Sequence, residues 1–403
     1  MQIYLRTRKD LSIAWRSIIK LPRHIFYDTK GFLRYLVSEL FHFIPFHKNA
    51  KSIAIKFGII QVHAEENLDQ VSISSDSSQA TVQKSKPIIL ASYCRDINFQ
   101  GNLRFCGGTK ELNYLLKLVR QHGYEAYMVT YDGTYEPWLL DHQPHISLDD
   151  FHQILQKGCE VRCVTSWAMA TAFIQASPHL YFWDMELAHT EHEHFPILAN
   201  LYRRKIFNTA SISRTIQAWH MAHFQRSCVL LPNLLDESLW SPQPELRKAF
   251  RIGYMNEGKH TDNYIELIRN ITHEQGLTLE FHQIRGVETE ILDQMCSCDV
   301  YLSMNIGKDA LWGEGCPRTV LEALSTGCVV IAFDIIGNHE TLQHNFNGII
   351  VPRYRPDLMA ESLIEIYSFP KELSRLRDNA LNLINSCHTL NAHWPDVKEF
   401  LDL

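Results

Sequence analysis

Two glutamates around a short Gly-Cys-Pro segment are the residues most suited to chemistry. Glu314 and Glu322 stand eight positions apart in the stretch EGCPRTVLEALSTG. Pro317 suits the first turn of a helix, because its φ is already fixed and it has no N–H to leave unpaired. Gly327 suits the position just after a last turn. We therefore predict a helix from about Pro317 to Thr326, with Glu314 before it and Glu322 inside it.

The start of this helix is a predicted anion site. Unpaired N–H groups and the helix dipole both favour negative charge at a helix N-terminus, so the position suits a diphosphate. Glu314 can accept hydrogen bonds from hydroxyl groups, and Glu322 can accept from a pair of ribose hydroxyls. The residues predicted to lie along the phosphates are Gly315, Cys316, Arg318 and Thr319.

Two other strand-to-helix loops carry candidate residues. Lys259 follows a predicted strand that ends near Tyr254 and lies in the loop before the next predicted helix, where an ordinary solvated lysine is the plain interpretation. Gly107 and Gly108 lie between a strand and the helix KELNYLLKLVRQHG, where glycine lets the backbone approach a ligand closely. Glycines are common in such turns, so this signal is weak by itself.

The stretch YFWDMELAHTEHEHF, residues 181–195, ends a buried strand in a run of acidic and histidine residues. Asp184, Glu186 and His189 are candidates for contacts on the acceptor side of a site, and a plain polar surface is the alternative. His189, His192 and His194 could bind zinc, but their spacing matches no structural zinc pattern. We therefore expect no metal and no other cofactor.

The elements that must position these residues alternate between strand and helix from Pro87 onward. Such alternation favours parallel sheets covered by helices. The series begins again after a proline-containing joint near residue 240. The expected fold class is α/β, with two doubly wound Rossmann-like domains facing a cleft and a basic helical N-terminal extension. The predicted strands are PIILASY, YEAYMVTY, EVRCVTS, HLYFWD, KIFNTAS, SCVLLPN, FRIGYM, LTLEFHQ, DVYLSM, CVVIAF and GIIVP.

The predicted organisation has five parts, of which the two Rossmann-like domains are the largest. The candidate motifs divide between these two domains. The parts are a basic amphipathic extension at 1–63, a flexible Ser/Asp/Gln-rich linker at 64–86, the first domain at 87–235, the second domain at 236–385, and a C-terminal helix at 386–403 that could return to the first domain.

Charge is spread unevenly along the chain. Residues 1–60 hold eleven basic and three acidic side chains, a net charge of +8, which leaves −14 for the rest of a chain whose total is −6. A basic head favours an anionic partner surface, and the acidic remainder makes nucleic acid a poor candidate. FLRYLVSELFHFIPF, residues 32–46, has apolar residues at helical spacing. In one interpretation this is an interfacial helix, and residues 1–58 bind anionic lipid. In the other, the helix packs on its own domain.

Composition and cysteine usage suggest a cytoplasmic protein. The ten cysteines include no C-x-x-C pair and several lie in apolar runs, as reduced core thiols do. Charges interrupt any apolar core of a signal peptide, and no uncharged run reaches the roughly 18 residues that span a bilayer. We expect a cytoplasmic location, with a peripheral position at the inner face of the membrane if the head binds lipid.

The motif around Glu314 and Glu322 resembles that of the group 1 retaining glycosyltransferases of GT-B fold, the E-x7-E type. The likeness continues through VLEALSTGCVVIAFDIIGNHETLQHNFNGIIVP, is strong over 296–352 and is weaker over 87–295. It implies that the first domain holds the acceptor and the second the nucleotide-sugar donor, that Lys259 contacts the donor diphosphate, and that Glu314 and Asp184 are catalytic. Tyr254 stands where an arginine is expected, so either Lys259 acts alone or Arg318 or Arg251 substitutes. Trp183 replaces a histidine before Asp184.

The resemblance implies transfer of a sugar from a nucleotide-sugar donor to a glycan or lipid-linked acceptor, with retention of anomeric configuration. Two alternatives remain open from the residues. One is a nucleotide-sugar epimerase, which would use Asp184 and Glu186 as acid and base. The other is a non-catalytic binding module, which the Tyr254 substitution makes conceivable. The sugar, the nucleotide and the acceptor are not specified by the sequence.

Overall fold

The structure, a computed structural model, describes the chain from Lys86 onward with several gaps. The chain divides into two units, Met1–Val82 and Gln83–Leu403, and the described residues all belong to the second. The predicted extension at 1–63 and all but the last residue of the predicted linker lie outside the described residues. The described ranges are 86–92, 107–130, 132–166, 180–187, 195–205, 207–256, 260–306 and 315–403.

Two sheets with parallel strands form the framework of the described residues. The first has the order β3-β2-β1-β4-β5-β6-β7, and the second has the order β12-β11-β10-β8-β9. The strands are β1 Ile88–Ser92, β2 Ala126–Val129, β3 His145–Ile146, β4 Val161–Thr165, β5 Leu180–Asp184, β6 Asn208–Ser211, β7 Val229–Leu230, β8 Arg251–Tyr254, β9 Glu280–Gln283, β10 Val300–Ser303, β11 Val329–Phe333 and β12 Ile349–Val351.

Both sheets have the strand order of doubly wound folds. The order reverses between β1 and β4 in the first sheet and between β8 and β10 in the second. Ligands of such sheets bind beyond the carboxyl ends of the strands at these reversal points. Those ends are Ser92 and Thr165 in the first sheet and Tyr254 and Ser303 in the second.

Helices connect most of the strands and cover the sheets. Many follow sequence signals: Ser147 caps α2 through a capping box, and proline occupies the first turn of α8, α9 and α10. The helices are α1 Gly107–Gln121, α2 Leu148–Gln156, α3 Phe195–Arg204, α4 Arg214–Phe224, α5 Thr261–Glu274, α6 Glu288–Cys296, α7 Arg318–Ser325, α8 Pro356–Ser368, α9 Pro370–Cys387 and α10 Trp394–Leu401.

One apolar core is common to both sheets. It includes Ile89 and Trp183 of the first sheet together with Tyr301 and Val330 of the second, all buried. Each sheet has one further apolar cluster, which covers its other face. Because strand residues alternate in direction, each sheet contributes to the common core through one face and to its own cluster through the other.

Each strand that the sequence predicts is present, and the fold is the predicted α/β architecture. The sequence did not predict β3, which has two residues and pairs only with β2 at the sheet edge. Such a strand is too short to show alternation. The predicted joint near residue 240 lies between β7 and β8, where the chain passes from one sheet to the other.

The last helix, α10, lies against the first sheet although it follows the second in sequence. It contacts β6 and β7, and Phe400 packs edge-on against Tyr181 of β5 with ring centroids 5.8 Å apart. Tyr181 and Asn208 both donate hydrogen bonds to Asp402. None of the described helices has the length and apolar character needed to cross a membrane.

Candidate functional site

The helix that carries Glu322 is α7, which begins one residue later than predicted. Pro317 takes the capping position with φ −63°, and the helix ends at Ser325. Gly327 follows with φ +83°, the left-handed conformation predicted for it. The helix lies against β10 and β11, so it begins close to the carboxyl end of β10 at the reversal point of the second sheet.

Glu322 is buried, with 2% of its surface exposed, and its carboxylate is held by two cations. Oε1 accepts a hydrogen bond from Lys110 Nζ at 2.7 Å and another from Arg318 Nε at 2.8 Å. Lys110 belongs to α1 beside the first sheet, whereas Arg318 lies one turn before Glu322 on α7. The predicted nucleotide-side carboxylate therefore joins helices from the two sheets.

Arg318 of α7 also bonds to α1, here through a carboxylate of that helix. Nη1 donates to a carboxylate oxygen of Glu111 and to the carbonyl oxygen of Leu234 at 3.1 Å. The guanidinium also lies over the ring of Tyr114, 4.7 Å from its centroid. Burial by itself would lower the pKa of Arg318, but the carboxylates of Glu111 and Glu322 outweigh it and raise that pKa. Arg318 therefore remains charged inside the protein.

A third carboxylate, Glu288 at the start of α6, completes the group. Lys110 Nζ lies 3.0 Å from Glu288 Oε1, which also accepts from the Tyr114 hydroxyl at 3.1 Å. Glu288 Oε2 accepts from the backbone N–H of Leu140 at 2.7 Å. Burial would raise the pKa of Glu288, but the Lys110 ammonium and the hydrogen bond from the Leu140 N–H outweigh it and lower that pKa. We call Lys110, Glu111, Glu288, Arg318 and Glu322 the intersheet ion network.

The N-terminal half of α1 supplies Lys110 and Glu111 to the network. This helix begins at Gly107, and nearly all of its first three turns is buried, including Lys110 and Glu111. A Cβ at Gly107 would meet no atom within 4 Å among the described residues. The described residues around Gly107 therefore supply no packing reason for glycine at this position. The loop before it, 93–106, lies outside the described residues.

The residues just before α7 pack against the first sheet. A Cβ on Gly315 would lie 2.7 Å from Ile216 Cδ1 and 2.8 Å from the carbonyl oxygen of Met185, so glycine is needed for this close approach. The carbonyl oxygen of Cys316 accepts a hydrogen bond from Asn233 at 3.0 Å. Thr319 is half-buried on the first turn of the helix. The predicted phosphate residues therefore lie at the junction of the two sheets.

Asp184 lies at the carboxyl end of β5 with no exposed surface. Its Oδ2 lies 2.7 Å from Nε2 of His220, a fully buried residue of α4. The backbone carbonyl of Asp184 also accepts from the N–H of Ile212. Glu186, two residues further on, is half-buried. This placement gives Asp184 an interior partner in His220 and supports a structural role for it.

Three predicted site residues, Glu314, Lys259 and His189, lie outside the described residues, together with His192 and His194. Among the described residues, no group of three His, Cys, Asp or Glu side chains is arranged to hold a metal ion. Tyr254 is buried at the carboxyl end of β8.

Arg251 lies away from Tyr254, the position at which the resemblance predicts an arginine. It begins β8 and so lies at the opposite edge of the sheet from Tyr254, paired with Glu280 at 2.8 Å. A strand of four residues separates its ends by about 10 Å. Arg318, the other residue suggested for this role, lies in the intersheet ion network.

Sequence reasoning did not identify Lys110, Glu111 or Glu288. The first two directly follow Gly107 and Gly108 and a threonine, so their position after a strand-to-helix turn was visible. Nothing in the sequence shows that they are buried, since lysine and glutamate are mostly exposed in proteins. The partners of Lys110 are 178 and 212 positions away, as Glu288 and Glu322 are.

Comparison with known families gives one match. Residues 252–383 match the model of the family described as glycosyl transferases group 1. This range begins in β8 and ends in α9, so it contains α7 with Arg318 and Glu322 and covers about a third of the chain. No curated protein matches the sequence.

Solved structures with a similar fold cover most of the chain. HepE from Anabaena in complex with UDP has 14% identity and a TM-score of 0.55, covering 79% of this chain and 100% of that one. A glycosyltransferase from Rickettsia africae has 15% identity and a TM-score of 0.54, covering 78% and 99%. Sucrose-phosphate synthase from Thermosynechococcus elongatus has 13% identity and a TM-score of 0.57, covering 78% and 97%. At these identities the likeness concerns the fold, which is the predicted GT-B arrangement.

Proposed function

We propose that this protein is a glycosyltransferase that moves a sugar from a nucleotide-sugar donor to a glycan or lipid-linked acceptor, with retention of anomeric configuration. The family match over 252–383 carries the proposal, because it spans the helix that follows the reversal point of the second sheet. Similar folds include a structure that holds UDP and another that holds UDP-glucose. No cofactor enters the proposal.

The proposed chemistry depends on stabilising the leaving diphosphate. Negative charge grows on that group in the transition state, and fixed cations or helix amides placed there lower the barrier. Lys259 and the backbone N–H groups of Gly315, Cys316, Arg318 and Thr319 would serve this role. The guanidinium of Arg318 would add a buried positive charge. Glu314 would hold the hydroxyls of the transferred sugar, and Glu322 would hold the ribose. We favour front-face displacement, in which the acceptor attacks from the side that the diphosphate leaves.

Asp184 and His220 form a fully buried pair, and this affects which residues could act on the acceptor. A carboxylate with no exposed surface is poorly placed to exchange protons with a substrate, so we assign Asp184 no catalytic step. This also weakens the epimerase alternative, which needs Asp184 or Glu186 as an acid or base. Glu186 and His189 remain candidates for contact with the acceptor.

We expect the first test of this function to be release of free nucleoside diphosphate. The full chain is incubated with a panel of nucleotide sugars, and one of them should be consumed faster than in buffer. Proton NMR of the product should show the anomeric configuration of the donor. Interconversion of the nucleotide sugar with no acceptor would instead support an epimerase. Lack of any consumption, together with lack of nucleotide binding by calorimetry, would support a non-catalytic module.

The two glutamates should then separate in kinetics. Glu322→Gln should raise the donor KM, because it weakens a contact with the nucleotide, whereas Glu314→Ala should lower kcat by about a hundredfold or more. Glu361→Ala provides a matched control, because Glu361 is an exposed glutamate of α8. Normal kinetics in both site variants would rule out the assignment of this motif.

We also propose that the protein works in the cytoplasm, at the inner face of the membrane. The +8 charge of residues 1–60 supports this location, because anionic lipids attract basic segments at about 1 kcal/mol per Lys or Arg. A lipid-linked acceptor would then lie close to the enzyme.

A further inference from the structure

The Glu322 carboxylate is bound by side chains from both sides of the junction between the two sheets. Of the two cations on its carboxylate, Arg318 comes from the same helix and Lys110 comes from α1 beside the first sheet. All the hydrogen bonds that this carboxylate accepts from described side chains end on Oε1. Oε2 therefore keeps its acceptor capacity.

The intersheet ion network is not a favourable way to join two sheets. It places three carboxylates and two cations inside the protein, each at most 8% exposed. Burial raises the pKa of Glu111 even beside Arg318. Buried ion pairs of this kind stabilise a fold no better than apolar residues of similar size. The network is more readily understood as fixing the position of particular charged groups.

Arg318 carries a second unused group. Its Nη2 is buried and has no hydrogen-bond partner among the described residues. Buried polar atoms are normally paired, so this unpaired donor is a candidate to bind a ligand group. Arg318 Nη2 can donate a hydrogen bond and Glu322 Oε2 can accept one. Lys110 and Glu111 hold the two side chains in the orientation that leaves these atoms unused.

We propose that Lys110 is a positioning residue for nucleotide binding: it fixes the Glu322 carboxylate from α1, so that a residue beside the first sheet sets the donor affinity of the second. This inference rests on the proposed function of Glu322. Lys110 has two anchors of its own, Glu288 at 3.0 Å and the Trp240 ring at 4.8 Å. These contacts limit its ammonium to one place, which is what a positioning role requires.

The same helix provides a matched control. Lys117 lies two turns further along α1 and pairs with Asp141 at 2.6 Å and with Asp236. It is also partly buried and also holds carboxylates, but it does not contact Glu322 or Arg318. A general loss of helix packing would affect both lysines, whereas loss of Glu322 positioning would affect only Lys110.

The test measures Kd by calorimetry on the full chain, with UDP, GDP, ADP and CDP as probes. Lys110→Met, Lys110→Arg, Lys117→Met, Glu322→Gln and the double variant Lys110→Met/Glu322→Gln are compared. We expect Lys110→Met to weaken binding of the preferred nucleotide about tenfold to a hundredfold, as expected for loss of a charged hydrogen bond. Lys110→Arg should restore most of that affinity, and Lys117→Met should leave it unchanged. In turnover, Lys110→Met should raise the donor KM and leave kcat nearly unchanged.

The double variant distinguishes positioning from independent contributions. If Lys110 acts through Glu322, the double variant should bind no more weakly than Glu322→Gln alone. Equal losses in Lys110→Met and Lys117→Met, or additive losses in the double variant, would overturn the inference while the proposed function stands. If the wild-type chain binds none of the four nucleotides, the proposed function itself fails and the role of Lys110 fails with it. Unfolding midpoints of all variants identify any that do not fold.

Discussion

At the scale of residues, the main feature is the burial of five charged side chains in the intersheet ion network. Glu322 and Arg318 were predicted from their place at a helix start, and they lie in the intersheet ion network. Lys110 and Glu288 contribute equally to that network and were not predicted. Charged side chains are exposed by default, so a sequence marks a buried one only when a motif surrounds it. The role of each predicted residue at the donor stays a proposal.

Burial also perturbs His388, which lies outside the proposed site. It is 8% exposed, and burial together with the nearby His393 lowers its pKa from 6.5 to about 4. The folded state therefore keeps His388 neutral at a pH where the unfolded chain takes up a proton. Above pH 6.5 His388 is neutral in both states, and it does not reduce the free energy of unfolding. As the pH falls from 6.5 towards 4, protonation of the unfolded chain lowers that free energy. The full loss is roughly 3 kcal/mol.

We expect His388→Asn to remove this part of the pH dependence, because asparagine does not titrate. The measurement is the free energy of unfolding from denaturant titrations between pH 4 and pH 8. The difference between wild type and variant should change steadily below pH 6.5 and stay constant above it. Parallel curves over the whole range would show that His388 does not carry this effect.

At the scale of elements, local signals define the helices and strands well. Pro317 and Gly327 bracket α7 to within one residue of its predicted ends. Apolar runs identify every strand except β3, whose two residues give no pattern. Local signals do not show what a helix packs against. Most of the first three turns of α1 is buried, Lys110 and Glu111 included, because the helix packs on β1 and β2 and bonds to α6 and α7.

The last helix, α10, offers a test of contacts that are distant in sequence. Phe400 is 1% exposed and packs on Tyr181 of the first sheet. Phe400→Ala should lower the free energy of unfolding by about 3–5 kcal/mol, through lost burial and the cavity it leaves. Phe369→Ala is the matched control, because Phe369 is 61% exposed and should cost about 0.5 kcal/mol or less. Similar small effects of both changes in denaturant unfolding would mean that α10 does not dock as described.

At the scale of the whole molecule, charge asymmetry is the main property that the sequence shows directly. The first 60 residues carry +8 and the remainder −14. The structure describes only the acidic part, so the location of the protein at a membrane stays a proposal. The two interpretations of residues 32–46, an interfacial helix or a helix packed on its own domain, lead to opposite results with lipid.

We expect the full chain to sediment with vesicles that contain anionic phosphatidylserine and to remain unbound with purely zwitterionic vesicles. Deletion of residues 1–58 should abolish binding, and raising the salt concentration should weaken it, because screening shortens the range of surface charge. Binding that persists after the deletion would place the lipid contact elsewhere. Absence of binding by the full chain would favour the packed-helix interpretation.

The sequence alone determined the order of strands and helices, the α/β class and the ends of the helix at Glu322. These depend on residues close together in the chain: apolar spacing, a proline and a glycine. Only the tertiary structure decided which charged residues meet, because Lys110 and Glu322 are 212 positions apart and are joined by the packing of two sheets on one core. Local patterns limit the conformation of a segment, but the partners of a buried charge depend on how all segments pack together.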